Sequence, residues 1–162
     1  MHLRYFITIF LILFPPWVAA ADFIFSPKFC EFSVQFPVQY KTYEIIKSGN
    51  IGLSARAKTI DLTGLNAECW AFDKPLQIEI LAQELEKEMQ KRGVSVGIVI
   101  IDKNNDIAPQ IILSGNVNPE GKKLFIKMIS FIGHKSILEL LIVEKDLVSQ
   151  TQVNFRNNVK LK

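Results

Sequence analysis

Pro75-Leu76-Gln77-Ile78-Glu79-Ile80-Leu81-Ala82-Gln83-Glu84-Leu85-Glu86-Lys87-Glu88-Met89-Gln90-Lys91-Arg92-Gly93 is the stretch on which the predicted fold turns. Ile78, Leu81, Ala82, Leu85 and Met89 recur at three- and four-residue spacing, the apolar stripe of an amphipathic helix. Glu84, Glu86, Lys87, Glu88, Lys91 and Arg92 fill the other side as a solvated face. Glu88 and Arg92 stand at the i,i+4 spacing that lets opposite charges meet. Pro75 suits the first helical position, with Asp73 or Lys74 flanking it, and Gly93 suits the C-terminal cap. The spacing predicts a helix over 75–92.

The chain on either side reads as strands. In Cys30-Glu31-Phe32-Ser33-Val34-Gln35-Phe36 the even positions are apolar and the odd ones polar, and Pro37 ends the run. Residues 40–46 are aromatic and β-branched, and Ser48-Gly49-Asn50 is a turn. Ile51, Leu53, Ala55 and Ala57 then alternate with Ser54, Arg56 and Lys58, and a further strand surrounds Cys69 and Trp70. After the helix, residues 94–101, 111–117, 122–132 and 136–143 are strand candidates joined by short polar turns, which means antiparallel hairpins. In the tail from 146 to 162, Leu147, Thr151 and Phe155 permit a helix, whereas Val153, Phe155, Val159 and Leu161 permit a strand. A short C-terminal helix is favoured.

The expected class is therefore α+β: an antiparallel sheet with the 75–92 helix packed on it. This order of elements resembles the PsbP/Mog1-like family of small exported bacterial proteins. Residues 30–37 stand as the opening strand, followed by the single amphipathic helix. The meander around Lys122-Lys123-Leu124-Phe125-Ile126 and the late Val153-Asn154-Phe155 complete the likeness. The resemblance implies an α-β-α sandwich and carries no shared catalytic residues, so it speaks to fold and little to function.

The chain has 162 residues, of which 49% are hydrophobic and 22% charged, with 19 Lys+Arg against 16 Asp+Glu. Such numbers fit one ordinary globular domain and exclude a disordered chain or a multi-span membrane protein. A net charge of +3 with no basic stripe gives no reason to expect nucleic acid. Much of the hydrophobicity lies at the start. Arg4, the apolar run Tyr5–Phe14, the Pro15-Pro16 break and Ala19, Ala20 and Ala21 make residues 1–20 a secretory signal peptide, cleaved after Ala20 or Ala21. An uncleaved N-terminal anchor is the alternative; otherwise no membrane contact is expected. Residues 21–162 form the single expected domain.

Export places Cys30 and Cys69 in an oxidising compartment, where a pair is a disulfide candidate. The alternation puts Cys30 on the core face of its strand. A structural disulfide is expected, with two buried free thiols as the alternative. Two cysteines and one distant His cannot assemble a zinc site.

No catalytic set emerges. Gly93-Val94-Ser95-Val96-Gly97 has the G-x-S-x-G form, followed by Asp102 or Asp106 and His134 in hydrolase order. That motif must join a strand to a helix, whereas here a helix precedes and a strand follows. Asp102-Lys103-Asn104-Asn105-Asp106 begins like a Ca²⁺ loop, but Ile107 stands where Gly is required and Leu113 where the bidentate acid is required. A polar hairpin turn is expected instead. His134, between Gly133 and Lys135, reads as an exposed turn residue. Glu31, Glu44, Asp61, Glu68, Asp73 and Glu79 are too scattered to nominate an acid–base pair. Phe23, Phe25 and Phe29 form an edge or packing segment, or else a partner-binding arm. No cofactor or metal is expected. The composite expectation is an exported non-enzymatic domain that binds or supports an envelope or host protein. The alternative from a different class is a small enzyme whose site only the fold assembles.

Overall fold

The computed structural model describes residues 23–47, 49–60, 63–74, 76–145 and 150–162. The expected signal peptide, Asp61, Pro75 and Leu147 lie outside them. Among the described residues, ten strands fall into two antiparallel sheets. The larger sheet contains β3 (Lys41–Lys47), β4 (Asn50–Lys58), β5 (Gly64–Ala71), β6 (Ser95–Asp102), β7 (Gln110–Val117), β8 (Leu124–Ile132) and β9 (Ser136–Glu144). Its spatial order is β3-β4-β5-β9-β8-β7-β6. Two meanders, β3 to β5 and β6 to β9, meet where β5 pairs antiparallel with β9.

The smaller sheet is β1 (Phe23–Phe25), β2 (Phe32–Phe36) and β10 (Val159–Leu161), with β2 in the middle. Phe32, Val34 and Phe36 are buried and Ser33 and Gln35 half-buried, as period-2 alternation requires. With helix α2 (Gln150–Asn157) the small sheet covers one face of the large one. Phe36 meets Phe155 of α2 edge to face at 4.8 Å between ring centroids, and Leu65, Ala67, Leu138, Leu140 and Ile129 supply the opposing wall. The Cys30–Cys69 disulfide staples the two sheets, joining the residues before β2 to β5.

This architecture corrects the α+β expectation and the sandwich that went with it. The protein is mostly β, and helix α1 (Ile78–Lys91) is 14 residues long, a local cover rather than an organising layer. It starts at Ile78, with the apolar stripe but three residues later than Pro75 at the first helical position predicts, because Gln77 is extended and no side chain caps the first turn. Its end is as expected: Gly93 takes φ +81° and donates to the Gln90 carbonyl, while the Val94 N–H donates to Met89. Ala82, Leu85 and Met89 pack with Val94, Ile111, Leu113 and Met128, so α1 lies over the β6–β7–β8 part of its face and leaves the β3–β5 part open. The short β1 and β10 carry no periodic signal of their own, and β10 pairs with β2 from the opposite end of the chain. The tail is both alternatives in succession, helix then strand. Among the described residues, no helix is long and apolar enough to cross a membrane.

Candidate functional site

Because α1 covers only part of its face, an open cleft remains between the helix and strands β3 and β5. The cleft holds about 450 Å³, with Trp70, Phe72 and Ile137 from the sheet side and Leu81, Lys87 and Lys91 from the helix side among its walls. Trp70 is buried in the floor, and the Lys47 ammonium sits 4.1 Å from its ring centroid, a cation–π contact.

Beneath Lys47 the sheet carries polar side chains on the same face. Ser54, Glu68, Glu139 and Ser130 stand directly opposite one another on β4, β5, β9 and β8. Glu139 is 4% exposed, and Lys47 Nζ donates to its Oε2 at 2.6 Å while lying 3.7 Å from Glu88 Oε2 on α1. Burial pushes the Glu139 carboxyl up to about 7 despite the attraction of Lys47, and the nearby Glu68 and Glu88 charges add to the rise. Glu68 is held otherwise: Asn66 Nδ2 donates to it at 2.8 Å, Ser54 Oγ donates to Asn66 Oδ1 at 2.8 Å, and Arg56 Nε donates to Ser54 Oγ at 3.3 Å. Among the described residues, Glu139 Oε1 and Ser130 Oγ have no hydrogen-bond partner, and a void of about 10 Å³ borders Glu139, space for one water. The cleft thus has an apolar, aromatic floor and a charged lip on which Lys87 and Lys91 stand beside Glu84 and Glu88, and Lys47 stands between it and the buried acid.

The residues singled out by motif are elsewhere. Ser95 is exposed at the start of β6, opposite Asn116, in strand geometry. His134 is exposed in the β8–β9 turn, near the sheet end where Asp102 closes β6. Eight residues of strand separate the two ends, on the order of 20 Å, so Ser95, the acids and His134 do not assemble. Asp102 Oδ1 accepts from the Asn104 N–H and Asn105 Oδ1 from the Ile107 N–H, both at 3.1 Å, so these oxygens shape the hairpin turn itself.

Glu31 is a structural clamp. Its Oε2 accepts from the Lys135 and Ser136 N–H groups at 2.8 and 3.0 Å and from Ser136 Oγ at 3.1 Å. Burial pushes the carboxyl up, but these bonds together with one from the His134 backbone outweigh it and hold it below the ordinary range. Glu79 pairs with Lys103, joining α1 to the β6–β7 turn, while Glu44 and Asp73 are exposed. Phe23 and Phe25 form β1, with Phe25 buried, and Phe29 is 39% exposed. Sequence inspection missed Lys47, Trp70, Glu88 and Glu139 as a group. One signal was present: Glu139 interrupts Ile137-Leu138-Glu139-Leu140-Leu141-Ile142, and an acid inside so apolar a strand needs a partner. No protein-family model matches this chain, and no curated protein matches it.

Proposed function

We propose that this protein is an exported, non-enzymatic domain that binds another component of the envelope or the host through the α1–sheet cleft. One observation carries the reading: an open cleft with an aromatic floor and a lip on which Lys87 and Lys91 stand beside Glu84 and Glu88, apart from Ser95 and His134. Apolar walls with a few placed charges are the usual make-up of a binding site. The chemistry that fits is an apolar, preferably aromatic, group bearing an anionic charge for Lys87 and Lys91. The disulfide supports export, because cytosolic thiols are kept reduced. N-terminal sequencing of the mature protein distinguishes cleavage after Ala20 or Ala21 from a retained anchor.

Anilinonaphthalene sulfonate is a small probe of that chemistry. Once residues 1–20 are removed, Trp70 is the sole tryptophan and reports directly from the cleft floor. The probe is expected to quench Trp70, and Lys87→Glu with Lys91→Glu is expected to weaken binding several-fold. Unchanged Trp70 emission, or binding indifferent to the charge reversal, overturns the assignment. A second reading, an enzyme whose site is built only by the fold, is favoured by Glu139, whose carboxyl at about 7 lies in the range useful for proton transfer. It requires Lys47 to move aside. A hydrolytic activity of the protein that is lost in Glu139→Gln, with folding intact, would select this reading.

A further inference from the structure

The seven-stranded sheet has two edges, β3 and β6, and they are built differently. An edge strand leaves a row of backbone N–H and C=O groups unpaired, and proteins commonly blunt such an edge with charge. β3 does so: Lys41, Glu44 and Lys47 are spread along its length. β6 does not. From Ser95 to Ile101 it has no charged residue, and Ile98, Val99, Ile100 and Ile101 are 55%, 42%, 48% and 37% exposed. Successive side chains point to opposite faces, so apolar surface is exposed both above and below the same open edge. The other side of β6 is held firmly by β7 in a continuous ladder from Ile98 to Asp102, after an irregularity at Gly97. Gly115 presses against it: a Cβ there would lie 2.4 Å from the Ser95 carbonyl oxygen. From Ile98 to Ile101 the edge is therefore regularly paired with β7 on one side, and apolar and uncharged on the other.

We propose that β6 is the dimer seam of this protein, where a second copy adds its own β6 antiparallel and joins two seven-stranded sheets about a two-fold axis. Three features select a second copy as the occupant. The strand is self-complementary: a two-fold axis through Ile100 sets Val99 opposite Ile101 of the second copy, and an axis through Val99 sets Ile98 opposite Ile100. Both arrangements keep paired side chains on the same face and bring no like charges together. Pairing β6 with β6 uses the same patch on both copies and closes, whereas pairing β6 with the β3 edge of another copy would repeat without end. The charges on β3 oppose that open arrangement, and their absence from β6 permits the closed one. The cleft opens over β3, β5 and β9 and the seam is the outward edge of β6, so the two surfaces share no residue.

The test is sedimentation of the protein as recovered after export, across a dilution series. The expected mass is twice that of the chain, falling to the single mass on dilution. Ile100→Lys is expected to abolish the dimer, while Ile46→Lys, at an 80% exposed position on the β3 edge, leaves it intact. Amide exchange of the unaltered protein supplies a second readout, with protection at residues 98–101 that strengthens with concentration. A single mass at every concentration, a dimer that survives Ile100→Lys, or a dimer broken by Ile46→Lys overturns the proposal. A monomer whose β6 amides are protected at all dilutions overturns it as well, because the edge is then covered from within the same chain.

Discussion

Glu139→Gln should remove a pH dependence that the fold builds in. The carboxyl ordinarily titrates near 4.5 and is raised to about 7 in the folded protein. Below about 4.5 it is protonated in both the folded and unfolded chain, and the stability contribution is complete. Between 4.5 and 7 the unfolded chain ionises first and the folded protein holds its proton, so stability falls as pH rises. Above 7 the loss is complete, and a displacement of that size corresponds to about 3 kcal/mol. Gln cannot ionise, and its carbonyl oxygen can still accept from Lys47. Urea unfolding of both proteins between pH 4.5 and 8 provides the assay. Titrating groups away from Lys47, Glu68 and Glu88 act alike in the two, so the difference in unfolding free energy reports residue 139 together with those partners. That difference should move in favour of the variant by about 3 kcal/mol across the window. A difference constant within about 0.5 kcal/mol would refute the burial mechanism, because it would mean that Glu139 titrates alike when folded and unfolded.

Three further outcomes follow from the geometry. The Cys30–Cys69 bridge closes 39 residues of chain, so Cys30→Ala with Cys69→Ala should lower stability by about 4 kcal/mol, read by thermal melting. Glu31→Gln removes the charge from the β8–β9 clamp and should cost about 2 kcal/mol at neutral pH in urea unfolding. Because the folded carboxyl is held below its ordinary value, the gap between the two proteins should narrow as pH falls below 4.5 and the native carboxyl protonates. Gly115→Ala places a methyl group 2.4 Å from the Ser95 carbonyl oxygen and should loosen β6 from β7, seen as faster amide exchange in both strands.

Much of the local structure was legible. The 30–36 alternation, the hairpins after the helix and the Gly93 stop follow from contacts a few residues apart, and the structure shows each of them. The class was misjudged because a 14-residue helix gives a strong periodic signal, while three-residue strands such as β1 and β10 give none. The helix was therefore assigned an organising role that belongs to the β5–β9 pairing. Ser95, Asp102 and His134 follow one another in an order that suggests chemistry, yet sheet register places Ser95 and His134 at opposite ends.

By itself, the sequence determined the middles of the longer strands, where the helix stops, which face of β2 is buried, and which two thiols are available to pair. Local sterics, side-chain periodicity and turn chemistry settle those matters within a few residues. Only the tertiary structure decided that β2 is flanked by segments from both chain ends, that β5 meets β9, and that Lys47, Trp70, Glu88 and Glu139 converge. It also decided that, among the described residues, β6 is an edge strand. These are register and neighbour relations between segments far apart in the chain, fixed by how two sheets and a helix share one core, and no local pattern encodes them.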